Sequence, residues 1–385
     1  MLSRRTVIMG ALAAPASPRA IAQAQNPPAG GPDGDAAAWM INRLQRRNME
    51  AGMYVGTQIT PRDDADYRVW AQLGVRHVCV DPPGNPHHWS LDDLNRHREH
   101  VESFGLSLDM VQLPLSSRPI EDQESPHILM GKEPKRQREI DSICGLIEQL
   151  ARAGIPAAKY NLNIIGTLRT EREPGRGGSR NAAFRWSRAD HGAPLTMAGI
   201  VSEEESWERI EHFLAAVVPV ATAAKVRLAC HPHDPYTLPG YRGVTRVLGT
   251  VDGLKRFVEI HESPYHGLNF CQGTIAEMLD DPANEIFDVI RWFGARQKIF
   301  NVHFRNIKGK KLDFMEVFPD EGDMDMPRAL AAYRDIGYPY MLMPDHVPQI
   351  DGRDPSGVAF AYCYGYIQAL IDALVRRPAT GTDKG

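Results

Sequence analysis

Eight short apolar runs recur along this chain, each bounded by turn residues and followed by a segment of helical periodicity, and this alternation constrains the fold more than any other feature. The runs are Met53 to Gln58, His77 to Asp81, Ser107 to Gln112, Ala157 to Leu162, Val226 to His231, Gly267 to Gln272, Ile299 to Arg305 and Tyr340 to Asp345. The intervening spacing predicts helices over Asp64 to Leu73, Leu91 to Phe104, Lys135 to Ala153, Glu203 to Ala224, Val251 to His261, Glu285 to Phe293, Met324 to Ile336 and Gly357 to Leu374. Near-continuous apolar strands are those buried on both faces, as in a parallel sheet sheathed by helices. Eight strand and helix pairs predict an α/β chain closed into a (β/α)8 TIM barrel, with an open doubly wound sheet as the competing arrangement. Gly74, Gly105, Gly154 and Gly337 each follow a periodic stretch and read as helix stops.

With 385 residues, 43% of them apolar, the chain can bury one large core. No linker-like tract interrupts the pattern, which predicts one catalytic domain over 51–378. Before it, Ser3-Arg4-Arg5 precedes the apolar run Val7 to Ala14, and Ala20-Ile21-Ala22 offers small residues for cleavage. Residues 1–22 therefore read as a twin-arginine export signal, residues 23–50 as a flexible leader and first helix, and residues 379–385 as a disordered tail. The apolar run is too short to span a bilayer, so no membrane insertion is expected after cleavage, and the expected location is periplasmic. A formal charge of −4 without a basic stripe argues against nucleic acid and leaves a small molecule as the expected partner; a homo-oligomer is compatible with this reading. The five cysteines are odd in number and irregularly spaced, and all but Cys271 read as small buried hydrophobes rather than disulfide partners.

Active sites of such barrels gather where the strands end at their C-termini. Strand five ends in Cys230-His231-Pro232-His233-Asp234, strand six in Phe270-Cys271-Gln272-Gly273, strand seven in His303-Phe304-Arg305-Asn306 and strand eight in Pro344-Asp345-His346. His231, Cys271, His303 and Asp345 thus supply two imidazoles, a thiolate and a carboxylate at one barrel end, a set suited to Fe(II), Zn(II), Co(II) or Mn(II) rather than Mg(II) or Ca(II). Arg305, two residues beyond His303, is expected to point inward and hold a substrate carboxylate; an ion pair at the barrel mouth is its plainer alternative. His346 is placed for general acid or base work, and His233 to face the pocket. Long loops after strands three and four, 113–133 and 163–202, are expected over the catalytic face, with Gly175 to Arg180 as a lid or anion-contacting turn. The acidic run Glu203 to Glu205 behind Ser202 reads as a helix start.

These strand ends resemble the mannonate dehydratase family of the xylose isomerase-like barrels, through His231-Pro232-x-Asp234-Pro235, Phe270-Cys271-x-Gly273, His303-Phe304-Arg305-Asn306 and Asp345-His346, with Tyr160-Asn161 and Arg169-Thr170 also matching. The likeness covers roughly residues 50 to 376. It implies that His231, Cys271, His303 and Asp345 bind Mn(II) or Fe(II), and that D-mannonate is dehydrated to 2-keto-3-deoxy-D-gluconate. It also implies Tyr160, Asn161, Arg169 and Asp234 as substrate contacts, with His346 moving a proton. His233 stands where the family usually has Asp. The family's acidic tyrosine after the Asp-His pair falls near Val358, leaving Tyr362 and Tyr364 as substitutes. A metal-dependent sugar isomerase or epimerase is the alternative enzyme, and a periplasmic sugar-binding protein the non-catalytic one.

Overall fold

The computed structural model describes residues 51–376, which all fall within one compact unit. The expected signal, leader and tail lie outside them. In chain order the strands are β1 (Tyr54–Thr57), β2 (His77–Cys79), β3 (Ser107–Gln112), β4 (Ala157–Asn161), β5 (Glu173–Pro174), β6 (Arg180–Asn181), β7 (Ala183–Arg185), β8 (Arg227–His231), β9 (His266–Cys271), β10 (Ile299–His303), β11 (Asn306–Lys310), β12 (Asp313–Val317) and β13 (Met341–Met343). The α-helices are α1 (Asp64–Gln72), α2 (Leu91–Glu102), α3 (Pro126–Met130), α4 (Lys135–Arg152), α5 (Glu203–Ala224), α6 (Val251–Glu259), α7 (Gln272–Ala276), α8 (Pro282–Gly294), α9 (Met326–Asp335) and α10 (Pro355–Arg376).

Strands β1, β2, β3, β4, β8, β9, β10 and β13 close in that order into a parallel barrel, the last pairing with the first. Every one of the eight apolar runs is a barrel strand. Side-chain alternation along each strand separates two cores. Cys79, Met110, Ala157, Ala229, Phe300, Met341 and Met343 fill the barrel interior. The intervening residues, such as Val55, Leu228, Phe270 and Val302, face the helices and meet Phe213, Phe293 and Tyr333 in the larger core. Each such aromatic or branched side chain contributes about 1.5–3 kcal/mol by leaving water. Gly56 lets the seam close, since a Cβ there would lie 2.8 Å from the Met341 Cβ.

Local chemistry sets the helix ends. Ser202 accepts the Glu205 amide N–H at 3.2 Å while the Glu205 carboxylate accepts the Ser202 N–H at 2.8 Å, so part of the acidic run closes a capping box. Gly154 follows α4 in the left-handed region at φ 74°, which glycine adopts without penalty because it has no Cβ. All five cysteines are free; four are buried and Cys144 is half-buried.

The long segment after β4 is not a plain loop. It forms the β5–β6 hairpin and the strand β7, which pairs with β12 beside β11 in a three-stranded antiparallel sheet. The β11–β12 hairpin begins three residues beyond β10, in a stretch to which the sequence reading assigns no element. The Gly175 to Arg180 turn is held by Arg176, which pairs with Asp320 at 2.6 Å.

Candidate metal centre

Strands β8, β9 and β10 end on His231, Cys271 and His303, and Asp345 follows β13 by two residues. Register brings them level: His303 lies opposite Cys271 on one side and Met343 on the other. One ligand-type atom from each of the four lies within 4.8 Å of the others. Two ligands at about 2.1–2.3 Å from a single ion can be at most about 4.6 Å apart, so the cluster has nearly the span of a coordination sphere.

The free lone pairs also point to a cation. Gln58, just beyond β1, donates its amide N–H to Asp345 Oδ1 at 2.9 Å, while its Oε1 accepts from Lys159 Nζ at 2.7 Å. That orientation leaves Oε1 3.0 Å from His303 Nε2, with the Asn269 amide nitrogen 3.1 Å from the same ring nitrogen, so Nε2 can either donate to Gln58 or accept from Asn269. His303 Nδ1 is buried, without a hydrogen-bond partner and 3.4 Å from Asp345 Oδ1, and in the tautomer with the proton on Nε2 it is a bare acceptor. His231 uses Nδ1 on the Pro232 carbonyl at 2.7 Å, which frees Nε2 as an acceptor. Burial lowers the His231 pKa, favouring the neutral imidazole that a metal needs. Cys271 Sγ accepts from Thr274 Oγ1 at 3.1 Å and lies 3.6 Å from Asp345 Oδ2. Burial would raise the Asp345 pKa, but His303, His346 and Arg305 outweigh it and hold the carboxyl well below its ordinary value. These residues therefore fit a divalent metal.

Beside this quartet lies a buried ion network that the sequence reading only partly anticipated. Arg305, 3% exposed at its side chain, donates to Asp345 Oδ2 at 3.2 Å, Glu277 Oε1 at 2.7 Å, Asp234 Oδ2 at 3.0 Å and Thr274 Oγ1 at 2.9 Å. Its fork is committed to protein carboxylates, which corrects the expectation that it holds a substrate carboxylate; the ion pair at the barrel mouth is the placement found. Arg305 crosses Gly273 so closely that a Cβ there would lie 2.4 Å from Arg305 Cγ. Arg169 grips Asp234 in a fork, at 2.6 and 3.0 Å, and also pairs with Glu316. Asp234 is thereby shared between two guanidiniums.

His346 stands over this network, its side chain 40% exposed. Nδ1 is held by Glu316 at 2.9 and 3.0 Å, and Nε2 lies 3.8 Å from Asp345 Oδ2, toward the quartet. Burial works against its charge, but Asp345 and Glu316 prevail and push the pKa up to about 10. Glu316 itself, despite burial, is brought down to about 2 by Arg169, His346 and Arg305. Glu316 sits on β12, in a hairpin absent from the sequence reading. A carboxylate at such a position has no local sequence signal.

Four other expected contacts differ. Tyr160 is fully buried against Phe213 of α5, with its hydroxyl beside Cys230, and so lies behind the barrel wall. Strand alternation explains this: Lys159 and Asn161, paired with Ala229 and His231, project inward, so Tyr160 projects outward. His233 is buried beneath the loops, bonded through Nε2 to the Leu162 carbonyl at 2.8 Å; burial lowers its pKa to about 3, and it does not face the site. Asp234 and Arg169 are engaged with each other. Neither substitute tyrosine reaches the quartet: Tyr364 bonds Thr57 at 2.6 Å on the helix side of β1, and Tyr362 packs on Phe318. Gln58, Lys159, Glu277 and Glu316 are the site residues the sequence reading missed, although the inward register of Lys159 was available from strand period alone.

The D-mannonate dehydratase (UxuA) family model matches residues 193–378. Mannonate dehydratase of Thermotoga petrophila is 28% identical over 293 residues, covering 67% of this chain and 78% of the relative. The crystal structure of mannonate dehydratase from Streptococcus suis serotype 2 aligns with a TM-score of 0.73 at 24% identity, over 86% of this chain and 96% of that one. D-psicose 3-epimerase of Clostridium cellulolyticum H10 aligns at 0.52 with 16% identity, over 84% of this chain and 98% of that one, a likeness of fold alone.

Proposed function

From the membership of this chain in the mannonate dehydratase family, we propose that it is a metal-dependent hydro-lyase that converts D-mannonate to 2-keto-3-deoxy-D-gluconate and water. The observation that carries the reading is the His346–Glu316 pair turned toward the His231, Cys271, His303 and Asp345 quartet. The epimerase alternative rests on shared barrel architecture only.

A dication held by the quartet, Mn(II) or Fe(II) for a set containing a thiolate, supplies Lewis-acid stabilisation of the charge that develops as the proton beside the carboxylate is lost. The protein's own groups then handle the protons. His346 Nε2 takes the C2 hydrogen as a proton, the C2–C3 double bond forms as the C3–O bond breaks, and the same Nε2 returns the proton to the departing hydroxyl as water. The enol left behind shifts a proton to give the 2-keto acid. Glu316 holds Nδ1 throughout, fixing the ring and stabilising the imidazolium between the two transfers. Asp345 engaged with a cation offers His346 less charge, leaving Glu316 as its chief counter-ion. One imidazole serves both steps, so no tyrosine is required.

Incubation of Mn(II)-loaded protein with D-mannonate, followed by assay for 2-keto-3-deoxy acids, tests this. No product from D-mannonate or from any other aldonate refutes it.

Export through the twin-arginine route belongs to the same proposal. That route carries folded proteins, so the site fills with its own metal before tighter-binding Cu(II) or Zn(II) competes. Full-length protein retained in the cytoplasm, uncut near Ala22, would sink this part.

A further inference from the structure

The two guanidiniums that the sequence reading assigned to the substrate, Arg305 and Arg169, are both engaged by protein carboxylates. An acid substrate still needs a cation with donors to spare. Lys159 meets that requirement. It pairs with Ala229, whose side chain lines the barrel interior, and so projects inward one layer below His231 and Asn161. Its stem crosses the barrel from β4 toward β1, and Nζ donates to Gln58 Oε1 at 2.7 Å. That same oxygen is 3.0 Å from His303 Nε2, and the Gln58 amide nitrogen is 2.9 Å from Asp345. The ammonium is therefore one side chain away from two members of the quartet.

An ammonium has three donors. Gln58 takes one, and Lys159 also contacts the Cys79 thiol, a weak acceptor that burial keeps neutral by pushing its pKa up to about 12. Lys159 is half-buried and makes no ion pair among the described residues. Asp81, two residues beyond β2 and two strands away in the barrel, feels its charge only from beyond ion-pair distance, and accepts the Gln112 N–H at 2.7 Å. Asp234 and Glu316 are matched by Arg169 and Arg305, and a dication would be matched by the Cys271 thiolate and Asp345. Among the described residues, Lys159 is then the one cation at this barrel mouth left without a matching carboxylate before substrate arrives.

We propose that Lys159 Nζ receives the carboxylate of the sugar acid, and that this contact is what selects acids over neutral sugars in this barrel. The proposal rests on the dehydratase reading for the class of substrate, and binding can test it separately from turnover.

The experiment uses the full chain loaded with Mn(II) and carrying H346A, so that bound acid is not consumed, and compares Lys159 with K159M and K159R by calorimetric titration of D-mannonate and of neutral D-mannitol. A charge-assisted hydrogen bond predicts that K159M weakens mannonate about 10- to 100-fold, whereas mannitol changes less than about threefold and K159R recovers most of the loss. Metal titration is expected to show unaltered Mn(II) uptake in K159M. K159Q carries the same comparison if K159M does not fold. Equal mannonate affinity in Lys159 and K159M protein overturns the proposal, as does a wild-type barrel that binds no mannonate. Parallel loss of mannonate, mannitol and Mn(II) also overturns it, because Lys159 would then act only by holding Gln58. Wild-type protein that binds mannonate with this charge dependence yet releases no 2-keto-3-deoxy acid leaves the proposal standing and removes the dehydratase reading instead.

Discussion

Asp234 and Glu277 are both buried, both touch Arg305, and are predicted to respond in opposite ways to removal of their charge. Asp234 accepts from Arg169 at 2.6 and 3.0 Å and from Arg305 at 3.0 Å. Burial opposes its ionisation, but the two guanidiniums prevail and hold its pKa far below the ordinary carboxylate value. Glu277 also lies 2.7 Å from Arg305, yet its second oxygen is buried without a partner. Burial and the Asp234 charge push its pKa well above the ordinary value, and this proton-bearing form suits an oxygen with no donor to face it. Replacing Asp234 with Asn leaves two buried guanidiniums short of a shared carboxylate and is expected to cost about 3–5 kcal/mol. Replacing Glu277 with Gln, a near-isostere of the neutral acid, is expected to cost less than about 1 kcal/mol. The pH dependence has opposite signs. The lowered pKa of Asp234 gives stability that is present above its unfolded value of about 3.9 and lost as pH falls through it, so D234N and wild type converge in acid. The raised pKa of Glu277 gives stability that is present below its unfolded value of about 4.3 and lost as pH rises, so E277Q gains on wild type toward neutrality. Urea unfolding of metal-free protein at about pH 3, 4, 5.5 and 7 measures both effects, the Asp234 effect below about pH 4 and the Glu277 effect above it. Equal costs for the two variants at pH 7, or parallel pH trends, would refute this assignment of charge.

Three further outcomes follow from the same geometry. Gln58→Ala removes the group that orients both His303 and Asp345, and should weaken Mn(II) binding about 10- to 100-fold in competition with a chelator. Glu316→Gln should lower kcat about 100-fold or more while Mn(II) uptake holds, because the ring loses its counter-ion but the quartet is untouched; a change confined to KM contradicts the His346–Glu316 assignment. Gly273→Ala forces Arg305 from its path and should cost about 1–3 kcal/mol, read as a lower urea midpoint at unchanged slope.

The eight-stranded barrel and its four candidate ligands were legible in the sequence because both are carried by short-range pattern. Apolar runs that alternate with helical spacing specify the strands, and each strand end lies within a few residues of its own hydrophobic run. His231, Cys271, His303 and Asp345 could therefore be placed on one rim without knowing a single contact. The same reasoning, followed residue by residue on β4, turns Lys159 inward and Tyr160 outward; the motif match at Tyr160 obscured that parity.

What the sequence alone determined was which residues reach the rim, since side-chain direction follows from strand period. Only the tertiary structure decided what they meet there. Arg305 finds Asp234 and Glu277 rather than open space, Arg169 reaches Glu316 across 147 residues of chain, and Glu316 arrives on a hairpin with no local signature. Ionic pairing depends on distance through space and on exclusion of water, and neither is encoded by neighbours along the chain. The metal quartet is thus a property of strand ends, whereas the charge balance around it, and the spare cation at Lys159, belong to the closed barrel.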